Sequence, residues 1–214
     1  MGMDTELVVI RHGETLWNSE HRMQGQQDSA LSERGQAQAR ALGKRMRTER
    51  FAHLYSSDLV RAFETAKAIS DVTGHEIRID MRLRERSFGI FEGLTRAEMA
   101  ARHPEEYARF RTRDPDYALP GGESPRAFHE RCMGCLTELA NRHLGERIVV
   151  IAHGLLLASL YRVVHGLDLQ QPRTLDLVNA GLNVFHYSEH RWHILTWADR
   201  THLQTSTVSN QSHM

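Results

Sequence analysis

Only two cysteines, Cys132 and Cys135, occur in 214 residues, so no disulfide framework organises this chain. Charge of either sign is not in excess, because 27 Lys and Arg balance 27 Asp and Glu. That balance removes any global attraction to nucleic acid or an anionic membrane, and an anion site has to be built locally. No apolar run approaches the ~20 residues of a membrane span, and the opening MGMDTELVV lacks the basic and apolar regions of a secretory leader. A cytoplasmic protein with no membrane and no nucleic-acid partner is therefore expected. Linker-like low-complexity stretches are missing too. The length suits one α/β domain over 1–214, ample to bury a core, with a lid or cap segment at about 86–123.

The two cysteines form a CxxC, the spacing of a redox pair or half a zinc site. They fall inside ESPRAFHERCMGCLTELANRHL, which reads as one amphipathic helix, and no second pair exists. His129 adds a third donor one turn earlier, but three donors along one helix cannot surround a tetrahedral ion. Two small, half-buried helix residues are the expectation, with no metal assigned here. None is assigned to His190 or His193 either, which read as hairpin residues.

What the chain does contain is a repeated oddity. VVIRHGETLWN (Val8 to Asn18) and VVIAHG (Val149 to Gly154) each begin as a strand fit for a core and end in His-Gly. In an open α/β sheet, ligands bind beyond the carboxyl ends of the strands, so His12 and His153 are placed where chemistry is usually done. Between them strands alternate with helices. Strands are expected at Glu6 to Ile10, HLYSS and RIVVIA. Helices are expected after Ser32, from an N-cap at Asp58 to a stop at Gly74, through the cysteines, and over GLLLASLYRVVHG. EIRIDMRLRER reads as extended, TRAEMAARH and PEEYARFRTR as short helices before the turn-rich DPDYALPGGES, and GLNVFHYSEHRWHILTW as a closing hairpin. The tail TSTVSNQSHM is polar and expected to fray. The pattern predicts a three-layer α/β/α sandwich, with a mainly parallel sheet and an antiparallel edge supplied by the hairpin.

Arg11-His12-Gly13 sets a permanent cation beside an imidazole, with a glycine that lets backbone approach a ligand closely. Such a site suits an anion, and a neutral imidazole is a competent nucleophile toward phosphorus. Phosphoryl transfer asks mainly for positioning and for cations around the equatorial oxygens. Arg61, at the first turn of a helix, is the best further cation; the alternative is a surface arginine paired with Glu64. His153, Gly154 and the N–H of Leu155 can address the same anion, and the Asn18 amide can donate to it. In RLRERSF, extended geometry turns Glu85 away from Arg82, Arg84 and Arg86, so that its carboxyl can protonate a leaving oxygen. With a neutral His12 and a protonated Glu85 both required, activity should fall on either side of a slightly acidic to neutral optimum.

RHGETLWN, the following R-x-QG-x-x-D-S-x-L-S-x-x-G-x-x-QA, SSDLVRAFETA, LRE and the later AHG resemble the histidine phosphatase superfamily, of the cofactor-dependent phosphoglycerate mutase type, over about Val8 to Trp197. The resemblance implies that His12 is the phosphorylated nucleophile, Glu85 the proton donor, and Arg11, Asn18, Arg61 and His153 the phosphate pocket. Gln24 and Gly25 match the loop behind it. A phosphoglycerate mutase-like fold and a reaction without metal are implied as well.

Three features favour water over a second substrate oxygen as acceptor of the phosphoryl group. The stretch from Glu85 to His153 is shorter than in the family's dedicated mutases. Phe88 stands where they have a tyrosine, and their adjacent lid arginines are absent, although Arg96 keeps the charge of their lysine. A phosphomonoester hydrolase acting on small phosphorylated metabolites is expected. The alternatives are a phosphoglycerate mutase, which alone would need a bisphosphoglycerate primer, and a phospho-ligand binding protein without catalysis. Arg109, Arg111 and Arg113, with Tyr107 and Tyr117, could grip a second anionic group or a sugar, or simply form a solvated lid face. The substrate's identity and the choice between monomer and dimer are not legible.

Overall fold

The computed structural model describes residues 4–172 and 174–206; most of the tail TSTVSNQSHM lies outside them. Six strands form one sheet in the order β3-β2-β4-β1-β5-β6. β1 (Thr5–Arg11), β2 (His53–Ser56), β3 (Ile77–Ile79) and β4 (Arg147–Ala152) run parallel, and β5 (Leu182–Ser188) and β6 (Arg191–Asp199) close one side antiparallel. The middle of each central strand, Leu7 to Ile10 and Ile148 to Ala152, is apolar throughout because both of its faces are covered.

Alternation along those strands sorts the core into two. Leu7, Val9, Ile148 and Val150 face the helices α6 (Pro125–Arg142) and α7 (Gly154–His165), meeting Phe128, Leu136, Leu139, Leu156 and Leu160. Val8, Ile10, Val149 and Ile151 face α2 (Glu33–Met46) and α3 (Val60–Thr73), meeting Leu42, Met46, Ala66 and Ile69. The expected three layers follow directly. A single turn, α1 (Leu16–Ser19), precedes α2, and α4 (Arg96–Arg102) with α5 (Pro104–Arg111) lies in the expected lid segment. Phe88, Phe91, Met99 and Leu119 give that segment a small core of its own.

Connectivity explains where a ligand can enter. From β1 the chain crosses one face through α2 toward β2; from β4 it crosses the other through α7 toward β5. The neighbouring carboxyl ends of β1 and β4 therefore feed loops that diverge, which opens a crevice between them. His12 N–H donates to the Ala152 carbonyl at 3.0 Å, carrying the pairing one residue past the strand.

Local chemistry sets most helix ends as expected. Ser32 caps α2 by accepting from Gly35 N–H, Ser124 caps α6 ahead of Pro125, and Gly74 ends α3 with φ of 74°. Asp58 is not the cap of α3. Leu59 holds that position and Asp58 is drawn to Arg84 at 2.5 and 2.8 Å, while the exposed Val60 N–H is satisfied by Asp28 from a distant loop. Nor is EIRIDMRLRER extended throughout. Asp80 accepts from Arg82 N–H and from its guanidinium, folding Met81–Leu83 into a 3₁₀ turn that buries Leu83.

Cys132 and Cys135 are free and buried on α6 among the apolar side chains of HERCMGCLTELA. Burial pushes the Cys135 thiol up to about 12 and that of Cys132 higher still, so neither supplies a thiolate. With His129 they do not form a cluster able to hold an ion. His190, with φ of 61°, makes the β5–β6 turn, and His193 pairs with His186 across it.

Gly13 is needed for a different reason than expected. A Cβ there would meet the Gly35 carbonyl oxygen at 2.6 Å, and one on Gly35 would meet the Glu14 carbonyl at 1.8 Å, so backbone packs on backbone where α2 meets the His12 loop. Gly35→Ala should cost about 2 kcal/mol or more in urea denaturation and displace His12, with a correlated loss of anion affinity.

Candidate functional site

The cavity beyond β1 and β4 has a volume of about 850 Å³, and its lining is heavily cationic. Eight arginines (Arg11, Arg22, Arg61, Arg86, Arg96, Arg111, Arg113 and Arg162) face two carboxylates, Glu85 and Asp114. In a chain of zero formal charge this is the local concentration of positive charge that an anion site requires.

His12 sits at the bottom, 3% exposed. Its Nδ1 lies 2.7 Å from the Gly13 carbonyl oxygen, an acceptor only, so Nδ1 carries the proton and Nε2 keeps its lone pair. The loop that holds it is tied from two sides. Gly13 N–H donates to Thr65 Oγ1, which in turn donates to the Arg61 carbonyl, and Asn179 Nδ2 donates to the His12 carbonyl at 2.9 Å. Burial, then the charges of Arg61 and Arg11, hold the imidazole well below its usual titration range.

His153 is fully buried, its ring centroid 5.2 Å from that of His12, and neither ring nitrogen has a hydrogen-bond partner. Burial and the neighbouring cations keep it neutral as well. A buried imidazole with two idle nitrogens beside a second imidazole is costly unless a ligand completes it.

Arg61 is 1% exposed and does not pair with Glu64. Its guanidinium donates to the carbonyls of Gly25 and Gln27 and to Asp28, pinning the 24–28 loop against α3. Burial lowers its pKa, although an arginine remains charged through the biological range. Arg11 donates to the Leu177 carbonyl at 2.5 Å. Asn18 is the third residue of α1, and its amide oxygen accepts from Thr15 N–H and Asn179, which leaves its N–H groups for a ligand. Gln24 lines the cavity directly, its Oε1 buried without a partner. Gly25 has φ of 58°, and a Cβ there would collide with Glu92 Oε1 at 2.0 Å.

Glu85 also lines the cavity, though not for the reason of strand alternation. Arg82 is held by Asp80 and Glu138 and Arg84 by Asp58, but Arg86 borders the same cavity as Glu85. The Glu85 carboxylate accepts from Arg86 N–H at 2.9 Å and from Leu155 N–H at 3.1 Å. The Leu155 N–H, expected to address the anion, is thus occupied by Glu85. A Cβ on Gly154 would reach Leu177 and Arg11 only in ordinary contact, so close packing does not require glycine there.

Several residues that shape the site carry no local motif. Arg131 on α6 donates to the carbonyls of Arg82, Arg84 and Glu85 and pairs with Glu123 at 2.7 Å, fixing the turn that presents Glu85. Glu92 accepts from the N–H groups of Gln26, Gln27 and Phe88, joining the loop under Arg61 to the 86–123 segment. Within the 86–123 segment, Arg111, Arg113, Tyr107 and Tyr117 line the cavity, whereas Arg109 lies 4.0 Å over the Tyr117 ring and does not.

The depressed histidines give a signed pH dependence. Below about pH 6.5 the unfolded chain takes up protons that folded His12 and His153 refuse. Their contribution to stability is therefore full above that pH and is lost as pH falls toward their folded values. NMR titration of the free protein should show the His12 ring remaining neutral well below 6.5, and His153→Asn should flatten the acid-side decline of the urea midpoint. An acid limb of activity near 6.5 is then not due to His12.

The chain matches the profile of the histidine phosphatase superfamily (branch 1) over residues 7–200. It is 39% identical over 203 residues to phosphoglycerate mutase-like protein 4 of Arabidopsis thaliana, covering 93% of this chain and 87% of the relative. A metal-independent phosphoserine phosphatase of the same plant is 39% identical over 204 residues, covering 94% and 84%. Among solved structures, a mycobacterial glucosyl-3-phosphoglycerate phosphatase superposes with a TM-score of 0.80 at 33% identity, covering 92% of this chain and all of that one. The His-Gly strands, the cationic crevice they meet in and these likenesses have one reading: the chain belongs to branch 1 of the histidine phosphatase superfamily.

Proposed function

We propose that the protein hydrolyses small phosphomonoesters through a phosphohistidine on His12. The observation that carries this is the His12 tautomer. Nδ1–H is committed to the Gly13 carbonyl, so a neutral Nε2 is presented at the base of a cationic cavity. Nε2 attacks phosphorus as the bond to the ester oxygen breaks. Arg11, Arg61 and His153, with the Asn18 amide, balance the charge on the transferring oxygens, and Gln24 and Gly25 belong to the loop that fixes Arg61. Glu85 gives its proton to the departing alkoxide. It then takes one from the water that attacks the phosphohistidine, releasing inorganic phosphate and restoring His12.

Glu85 leaves the Leu155 N–H when it takes up its proton, since a neutral carboxyl is the weaker acceptor. The freed N–H at the start of α7, beside Gly154, then becomes available to the bound phosphoryl group. No step calls on a metal, in keeping with a relative named metal-independent. A small phosphorylated metabolite is the only partner the reaction requires.

Hydrolysis is favoured over transfer by the lid. Arg96, Arg111 and Arg113 line the cavity but remain exposed, without carboxylate partners among the described residues, so water reaches the site. Phe88, buried in the lid core, offers no hydroxyl to a second substrate. The lid is read as an insertion within one domain over 1–214. Two free thiols suit a reducing compartment, the cytoplasm, and among the described residues no helix is long and apolar enough to cross a membrane.

Phosphate release and isomerisation are to be followed side by side on 3-phosphoglycerate and a panel of monoesters. Release without isomer, unaffected by a chelator and reduced at least ~10³-fold in His12→Ala, is expected. Isomer formed faster than phosphate would identify a mutase, and tight binding without turnover a phospho-ligand module. Glu85→Gln should lower turnover by ~10²-fold or more on alkyl esters and much less on an aryl ester, whose leaving group needs little protonation.

A further inference from the structure

At the opposite end of the parallel strands, three donors converge that the phosphoryl chemistry does not use. His53 is the first residue of β2, His143 follows α6, and Glu146 immediately precedes β4. His143 Nδ1 lies 2.7 Å from Glu146 Oε2 and His53 Nε2 lies 3.4 Å from the same oxygen. One donor atom from each of the three falls within 4.8 Å of the others, and the two rings are 4.4 Å apart. We propose that His53, His143 and Glu146 bind a divalent transition-metal ion of the zinc type, with water as the fourth ligand.

Tetrahedral coordination with metal–ligand bonds of ~2.0–2.1 Å places donor atoms ~3.3 Å apart. The His53 to Glu146 spacing already meets this, and the His143 to Glu146 contact needs to open by about half an ångström. The second bond of His143 is suited to a ligand role. Its Nε2 lies 2.8 Å from the Tyr55 hydroxyl, to which Nε2–H donates when Nδ1 holds a metal, and such a partner fixes the tautomer of a ligating imidazole. Without an ion, Nδ1–H donates to the Glu146 carboxylate and Nε2 accepts from the Tyr55 hydroxyl, so a bound metal would take the place of that Nδ1 proton.

The frame is stiff. The His143 carbonyl accepts from Thr5 Oγ1 and from Glu146 N–H, closing the turn between α6 and β4, and His53 is fixed by its place in the sheet. His143 is buried, His53 is 23% exposed at the side chain and Glu146 41%, which leaves an entry path from solvent. One neighbour opposes the ion. Arg78 on β3 sits over the Tyr55 ring and donates to its hydroxyl at 3.4 Å, so its charge weakens the site. With two imidazoles and one carboxylate, the donor set suits Zn²⁺, Co²⁺ or Ni²⁺ over Mg²⁺ or Ca²⁺. A whole strand length separates it from His12, so the ion would clasp β2, β4 and the end of α6 and take no part in phosphoryl transfer.

The test uses the full chain stripped with a chelator and titrated with Zn²⁺ by calorimetry and with Co²⁺ by visible absorption. One equivalent should bind with a four-coordinate cobalt spectrum, more tightly as pH rises through the histidine range, and should raise Tm. His53→Ala and Glu146→Gln, both at accessible positions, should each weaken binding at least tenfold and abolish the Tm rise. His12→Ala should bind as the wild type does, and Arg78→Met severalfold tighter. The proposal is overturned by binding that His53→Ala and Glu146→Gln leave unchanged, or by no saturable binding up to ~1 mM.

Discussion

A guanidinium almost wholly out of water needs acceptors at its two NH2 groups, and Arg61 is the group whose needs arrange this site. The carbonyls of Gly25 and Gln27 and the carboxylate of Asp28 come to it from a loop distant in sequence. The same Asp28 completes the start of α3 by accepting from Val60 N–H. Through the Arg61 carbonyl and Thr65 the network reaches Gly13 N–H, and so the loop that carries His12. One buried cation thus sets the positions of the loop, the helix and the imidazole.

The electrostatic consequence is that cations and titratable rings are crowded together. Arg11, Arg61 and two imidazoles share a crevice, and both imidazoles escape mutual repulsion by staying neutral. That is the protonation state a nucleophilic His12 requires, obtained from burial before any substrate arrives. In the same crevice the Glu85 carboxylate accepts from the Leu155 N–H at the start of α7. Arg96, Arg111 and Arg113, exposed around the mouth, extend the attraction outward.

Backbone shape does as much as charge. Gly13 and Gly35 allow α2 to lie directly on the His12 loop, and Gly25 makes a left-handed turn against Glu92 that no side chain could share. Arg131, reaching from α6 to the carbonyls of Arg82, Arg84 and Glu85, turns a charge-rich stretch into a fixed presentation of one carboxylate.

The layers, the parallel core and the two histidines at strand ends were legible in the sequence. Two continuous apolar runs ending in His-Gly can be buried on both faces only in a central parallel sheet, and that sheet ends where ligands bind. Gly74 and Ser32 were legible for a similar reason, since their roles are settled by the next few residues. What tertiary structure alone decided was partnership. Asp58 has the chemistry of a cap but was claimed by Arg84, and the RLRER stretch alternates like a strand but was folded by Asp80 into a turn. Arg109 belongs to the lid yet lies on Tyr117 outside the cavity, and Leu155 N–H bonds to Glu85. In each case a long, charged side chain or a helix terminus had several satisfactory partners of similar energy. The sequence names the candidates, and only the packing of distant segments selects among them.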